Sequence, residues 1–419
     1  MKYGLIGEHL PHSFSKEIHA KIAPYIYELH EIEKSALHDF MTKKEFTAIN
    51  VTIPYKKDVI PYLDEIDENA KKIGAVNTIV NKSGKLYGYN TDFFGMRALI
   101  GKLELELSGS KVLILGTGGT SNTARAVAEA MNAKDIIVVG RNKKNDVISY
   151  EEAYEKHKNA DYIINTTPCG MFPYPDGNET ISGTPIRLDS FPKVKGVVDA
   201  VYNPLRTNLI MDAMEKDIPA EGGLYMLVAQ AVVAAEKFMN KKLDESLTDL
   251  IFKEIQNSKE NIVLTGMPGS GKSTVGKALA AALNRKFIDT DSVIAEKTGK
   301  EITQIFAEIG NDGFRKIEAE VIASVSSKNQ GIVIATGGGA ILRDDNVRAL
   351  KRSGKIYFLN RPIEYIVPTA DRPLALDRAA LEARFHERYE RYLSTCDLEI
   401  KTNESIQHTV DVIMEDFFK

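Results

Sequence analysis

The sequence predicts an α/β protein of two or three domains, and three observations carry that expectation. At 419 residues the chain is too long for one small module, given about 150 residues per domain. Short apolar runs rich in β-branched residues alternate with helix-period segments almost throughout, the pattern of parallel sheets covered by helices. Two of those runs open into glycine-rich turns followed by helices, and the two turns carry different nucleotide signatures.

In chain order, residues 2–6 and 46–51 read as strands, with a helical stretch from 15 to about 26 between them. Residues 76–80 and 85–89, joined by residues 81–84, read as a hairpin that closes this first unit. A fresh start follows near Lys111, where KVLILG is a buried strand, 118–131 a helix, DIIVVG a second strand, and 161–165 and 196–199 further strands. The strongly charged stretch 243–260 reads as a solvated connector helix, so the main boundary falls near 257–259. Beyond it NIVLTG opens another strand, loop and helix. The expected domains are 1–105 with about 225–255, then 106–224, then 260–419.

Composition narrows the class. Hydrophobic residues make up 43% and charged residues 27%, an ordinary globular profile, and a net charge of -4 gives no reason to expect nucleic-acid or membrane-surface binding. Cys169 and Cys396 are the only cysteines, which excludes a disulfide framework and a cysteine-built zinc cluster. The N-terminal apolar stretch is too short for a secretory leader, and the longest apolar run, 225–235, is broken by Gln230 and falls short of the ~20 residues that span a bilayer. The expectation is a cytoplasmic protein acting on small molecules, with its oligomeric state left open.

The first glycine turn holds Gly116, Gly118, Gly119, Thr120 and Ser121 between a strand and an alanine-rich helix. Glycines there permit a tight turn and close approach of backbone to a pyrophosphate, and the first helical N–H groups favour its charge. At the ribose position, after the second strand, stand Arg141 and Asn142 with Lys143 and Lys144 behind, and no carboxylate. A carboxylate suits the 2′-hydroxyl of NAD, whereas a guanidinium suits a 2′-phosphate, so the expected cofactor is NADP(H). A solvated basic turn is the plainer alternative.

Polar residues also gather at the ends of apolar runs: Ser13 and Ser15 before a helix, Thr52 and Lys56 after a strand, Asn77 inside AVNTIV, and Asp92 after the next strand. Taken singly, Ser15 reads equally as a helix N-cap, Lys56 as a surface lysine and Asp92 as a cap for a helix beginning near Phe93. Gln230 shares a helical face with Leu227 and Ala234, so its amide needs partners, either core groups or a bound polyol. Together HSFS (12–15), NVTIPYK (50–56), GAVNT (74–78), GYNTD (88–92), GTGGTS (116–121), NTTPCGM (165–171), DAVYNP (199–204) and GGLYMLVAQA (222–231) resemble the shikimate dehydrogenase family over about residues 1–250.

That resemblance implies a substrate domain plus a Rossmann-type NADP-binding domain, and reversible NADPH-dependent reduction of 3-dehydroshikimate to shikimate. It assigns Ser13, Ser15, Thr52, Asn77, Asp92, Tyr202 and Gln230 to the ring hydroxyls and carboxylate, Lys56 to proton transfer beside Asp92, and Gly223 to the cofactor side. The chemistry agrees, because hydride addition to a ketone leaves an alkoxide that needs a proton donor and a neighbour to fix that donor. Whether Lys56 donates the proton or acts chiefly as an electrostatic clamp stays open. Lys16 departs from the proline many relatives carry, in a first helical turn where proline is tolerated but not required.

The second turn, Gly266 to Thr274, fits GxxxxGKS, in which backbone N–H groups of Gly269, Ser270 and Gly271 wrap phosphates, Lys272 reaches the β and γ positions, and Ser273 ligates magnesium, with Thr274 following. Downstream, FIDTD carries Asp289 and Asp291, spaced to point the same way if the segment is extended, Asp289 toward magnesium's outer shell and Asp291 toward an acceptor hydroxyl. Asp291 also reads as an N-cap for residues 292–297. With FRKIEAEV, ATGGGAI, DRPL and RYERYLSTCDLEI, the block from about 260 to 419 resembles shikimate kinase, a P-loop domain with a parallel sheet covered by helices. The resemblance implies Mg2+ and ATP as cofactors, shikimate held by Asp291, Arg315, Gly338 and Arg388, and Arg372 in a lid over ATP. The lid segment 364–371 is short and lacks the additional arginine that relatives often carry before the RP pair.

Both halves thus point to one metabolite and to a bifunctional enzyme of consecutive steps. Quinate or NAD for the first half, another small polyol for the second, and a cofactor-binding scaffold with inactive sites are the competing readings.

Overall fold

The computed structural model describes residues 2–10, 13–142, 146–172, 183–366 and 378–419. The chain divides into two compact units, Met1–Ile255 and Gln256–Lys419. The first contains two six-stranded sheets and the second one five-stranded sheet.

The N-terminal sheet is mixed rather than uniformly parallel. Tyr3–Gly7 lies between the parallel strands Tyr27–Glu31 and Ala48–Val51, and the antiparallel pair Thr78–Lys82 and Lys85–Tyr89 extends the sheet beyond Ala48–Val51. The hairpin turn is Ser83 and Gly84, with φ of 53° and 87°, the left-handed pair whose twist matches the flanking strands. The first helix is Ser15–Ile22, shorter than expected from the sequence, and Pro24 follows just past its end. The strand Tyr27–Glu31 begins almost where the helix was expected to finish.

The second sheet is wholly parallel, in the order Ala220–Glu221, Gly196–Asp199, Tyr162–Asn165, Lys111–Leu115, Asp135–Val139, Val147–Ile148. Leu115, Ile114, Leu113 and Val112 are fully buried, as a central strand with helices on both faces requires. The glycine turn leaves this strand, and Gly118 is the N-cap of the helix Gly119–Ala130.

The helix Leu247–Lys259 corrects the reading of 243–260 as a solvated connector. Ile251, Phe252 and Ile255 are buried in the core of the first unit, and Lys102 Nζ stands 4.6 Å from the Tyr225 ring and 4.8 Å from that of Phe252. Burying each of those three side chains contributes roughly 1.5–3 kcal/mol.

In the second unit the sheet order is Phe287–Asp289, Val333–Ala335, Asn261–Thr265, Gly354–Asn360, Leu398–Lys401, all parallel. The strand feeding the phosphate loop is again central and fully buried. Each parallel sheet therefore presents its glycine turn at the exit of a middle strand, where ligands of such folds bind.

Candidate active sites

A cavity of about 710 Å³ in the first unit gathers Ser13, Ser15, Thr52, Lys56, Asn77, Asp92, Tyr202 and Gln230, with Thr120 and Gly223 from the nucleotide side. His12 lies outside the described residues. Lys56 Nζ donates to Asp92 Oδ2 at 2.6 Å, the two side chains being 27% and 18% exposed. Asp92 does not act as a cap: it is the first residue of the helix Asp92–Lys102, and its carboxylate is spent on Lys56. Ser15 likewise opens its helix without making a capping bond, Phe14 holding the cap position.

The lysine is held by its backbone, since Val76 N donates to the Lys56 carbonyl at 2.8 Å. Asn77 Oδ1 accepts from Thr91 N at 2.7 Å, and the Thr91 hydroxyl donates to Gln230 Oε1 at 3.0 Å. Gln230 reaches that position because Gly95 lets two helices touch: a Cβ there would lie 2.5 Å from the Met226 carbonyl oxygen and 2.9 Å from Gln230 Cβ. Asn50 also lines the cavity and was not expected from the sequence. Its Oδ1 accepts from Tyr27 Oη at 2.8 Å and its Nδ2 donates to Thr78 Oγ1 at 3.0 Å. An amide inside the apolar run AINV was the available signal.

Along the glycine turn, Gly116 holds φ 110°, and a Cβ there would press to 2.7 Å from Thr166 Oγ1. A Cβ at Gly118 or Gly119 would meet nothing within 4 Å, so the turn and the helix N-terminus open onto space that fits a pyrophosphate. Ser121 is buried in the first helical turn, and Arg141 is exposed just beyond Asp135–Val139. Gly116, Gly118, Gly119, Ser121 and Arg141 do not line the cavity, so the turn reaches it through Thr120.

A second unexpected group lies behind the wall of this cavity. Asp199 is fully buried and accepts from Asn165 Nδ2 at 2.9 Å, Val201 N at 3.0 Å and Thr207 Oγ1 at 2.6 Å. Burial pushes its carboxyl up to about 7, against the opposing pull of those three donors. The loop it ties down carries Tyr202 and Asn203, both at the cavity.

In the second unit the phosphate loop holds Gly266, Gly269 and Gly271 at φ of 144°, 83° and 93°. Lys272 Nζ donates to the carbonyls of Gly266 and Met267, each at 2.9 Å, and Ser270 Oγ is buried with no hydrogen-bond partner. That orphan hydroxyl and the ring of loop N–H groups fit a nucleotide phosphate. Ser273 Oγ donates to Asp289 Oδ2 at 2.6 Å, with Thr274 exposed beside it. Among the described residues no three His, Cys, Asp or Glu side chains group to hold a metal by themselves, so magnesium would need phosphate oxygens as well as Ser273 and Asp289.

The two aspartates do not lie on one extended segment. Asp289 ends a strand and caps the helix Thr290–Thr298 by accepting from Asp291 N at 3.1 Å, so Asp291 belongs to the helix and is not its cap. Asp291 is driven up to about 6, first by burial and then by Asp289 and Glu318. Glu318, unexpected from the sequence, is fully buried, and its carboxyl is raised by burial against the pull of Arg315, whose Nη1 donates to it at 2.6 Å. A Cβ at Gly337 would lie 2.8 Å from both Asp291 Oδ1 and Glu318 Oε1, and one at Gly339 would strike the Arg315 guanidinium at 2.2 Å. Arg388 Nη1 donates to the Gly338 carbonyl at 3.2 Å, and Tyr392 donates to the same oxygen. The structure thus brings Asp291, Arg315, Gly338 and Arg388 around one glycine run. Arg372 lies outside the described residues.

The match to known proteins follows the same division. Residues 5–79 match the family model of the shikimate dehydrogenase substrate binding domain, and residues 268–417 that of shikimate kinase. A shikimate dehydrogenase (NADP(+)) of Clostridium perfringens (strain SM101 / Type A) is 36% identical over 272 residues, covering 61% of this chain and 98% of the relative. A chorismate mutase/shikimate 5-dehydrogenase fusion protein from Clostridium acetobutylicum is similar in structure at a TM-score of 0.56 and 37% identity, over 60% of this chain and 96% of that one. A shikimate 5-dehydrogenase from Thermus thermophilus, in complex with NADP(H) and shikimate, gives a TM-score of 0.53 at 25% identity over 61% of this chain and 99% of that chain.

Proposed function

Because the chain belongs to the shikimate dehydrogenase family and carries a shikimate kinase domain over residues 268–417, we propose that one polypeptide catalyses two consecutive reactions. The first is NADPH-dependent reduction of 3-dehydroshikimate to shikimate, and the second Mg-ATP-dependent phosphorylation of shikimate to shikimate 3-phosphate. The reading assigns residues 1–105 with 225–255 to the first substrate, 106–224 to NADP(H) and 260–419 to phosphoryl transfer, in a cytoplasmic enzyme. The observation that carries it is the Lys56–Asp92 pair, set among hydroxyl and amide side chains in a cavity that Thr120 and Gly223 enter from the nucleotide side.

NADPH, when bound, supplies the hydride. Lys56 delivers a proton to the oxygen that becomes the new hydroxyl and regains one from solvent, to which it is partly open, while Asp92 pairs with the ammonium and orients it. Ser13, Ser15, Thr52, Asn77, Tyr202 and Gln230 hold the ring in register. Mg-ATP, when bound, supplies the phosphoryl group of the second step. Asp291 accepts the proton of the attacking hydroxyl, Arg315 and Arg388 take the carboxylate, and Lys272 with the loop N–H groups steadies phosphate charge.

The test supplies shikimate first with NADP+ and then with Mg-ATP, following reduced-nicotinamide absorbance and ADP release. Shikimate-dependent signals in both assays are expected. Two signals indifferent to shikimate would sink the reading.

A further inference from the structure

Arg361 stands one residue past the strand Gly354–Asn360, which pairs with the strand feeding the phosphate loop, Thr265 beside Phe358. A Cβ added at Gly271 would meet one heavy atom within 4 Å, Arg361 Nη1 at 4.0 Å. Gly271 holds φ 93° as the N-cap of the helix Lys272–Ala282, so the guanidinium overhangs the part of the loop whose N–H groups receive phosphate. Arg361 Nε donates to the Tyr365 carbonyl at 3.2 Å, which fixes the side chain from its own turn and leaves Nη1 at the loop. Among the described residues no carboxylate lies within ion-pair distance of Arg361, although Arg343 and Arg378 each hold one. The flanking Asn360, Pro362 and Ile363 line a cavity of about 430 Å³, together with Phe385 and Asn403. That space also carries Glu364, Glu382 and Lys401 and is lined neither by Arg361 nor by the phosphate loop, so it is the tip of Arg361 alone that reaches the loop.

We propose that Arg361 is a nucleotide-binding residue of the kinase, its guanidinium contacting the phosphate seated at Gly271. The proposal rests on the kinase reading above. It gives the site a second fixed cation beside Lys272, with donors in a planar fork that suits phosphate oxygens. No local pattern in LNRPIEY announced it.

The experiment uses the full chain with Mg2+ and measures binding of ADP and of inorganic pyrophosphate by calorimetry, for the wild type, Arg361→Met and Arg361→Lys, with the dehydrogenase rate of the same samples as a check on folding. Methionine is expected to weaken both ligands roughly tenfold or more and lysine to recover part of the loss, at an unchanged dehydrogenase rate. Undiminished affinity of the methionine variant for both ligands overturns the proposal alone. So does a loss for ADP with none for pyrophosphate, which would make the arginine a platform for the base. A wild type that binds neither ligand overturns the kinase reading and this proposal together.

Discussion

The two sites treat the same anionic polyol in opposite ways. Among the described residues lining the dehydrogenase cavity, Lys56 and Asp92 form an ion pair at 2.6 Å that is still partly open to solvent, and apart from His9 the other residues lining it present hydroxyls, amides and apolar groups. In the kinase site Glu318 is fully buried, Arg388 is 4% exposed, and Arg315 bonds Glu318 at 2.6 Å under a glycine run. The contrast follows from the chemistry. Reduction of a ketone needs one proton at one oxygen, and neutral groups suffice to hold the ring. Phosphoryl transfer gathers charge from nucleotide, metal and substrate, so the protein supplies guanidinium groups, and their burial is tolerable only with buried acids beside them.

The largest effect should come from Lys56→Ala. It is expected to slow 3-dehydroshikimate reduction by about 10²–10⁴ while ADP release from the kinase half of the same preparation is unaltered; equal loss in both assays would break the comparison. Asp291→Asn should do the converse, lowering kinase turnover by about 10² or more and sparing reduction. Because the Asp291 carboxyl sits at about 6 and acts as a base only when ionised, wild-type kinase turnover should rise as pH climbs through about 6 and then level off. A profile with no inflection there would remove Asp291 from the proton transfer.

Smaller is the expected effect of Arg141→Ala, roughly tenfold on KM for NADP and little on KM for NAD, and an unchanged preference between them would refute the ribose-phosphate assignment. Smallest is a stability effect at Asp199, a buried acid behind the neutral wall. Its folded value of about 7 lies above the unfolded value near ~3.9, so between these the folded chain keeps a proton that the unfolded chain has released. Resistance of the first unit to urea should therefore fall as pH rises toward 7, and Asp199→Asn should flatten that slope.

Local features were legible in the sequence, and long-range ones were not. Both glycine turns could be read because strand, turn and helix are contiguous, and the structure places each at the exit of a central strand. Of the cavity residues, Asn77 and Gln230 could be noticed because they interrupt apolar runs, and Ser13, Ser15, Thr52, Lys56 and Asp92 because they gather at the ends of such runs, whereas Tyr202 and Gly223 came only with the family resemblance. The strand Tyr27–Glu31 escaped because it is an edge strand in which Tyr27 alone is buried, so its alternation is weak. In the helix Leu247–Lys259 the anchors Ile251, Phe252 and Ile255 share one face, but the surrounding charges masked that pattern. Asn50, Asp199, Glu318 and Arg361 owe their roles to partners that only the fold brings near. The same holds for Asp291, whose helical placement moved it away from the direction expected of an extended segment.

Thr91 touches Asn77 through its amide and Gln230 through its hydroxyl, and it immediately precedes the aspartate that grips Lys56. Two amide side chains of the cavity wall, both proposed to hold the ring, are thus soldered to a common hub. A lineage drifting toward a bulkier or differently hydroxylated acid could not exchange either amide alone without disturbing the Lys56–Asp92 pair next door, so changes of taste here should arrive as concerted replacements of all three positions.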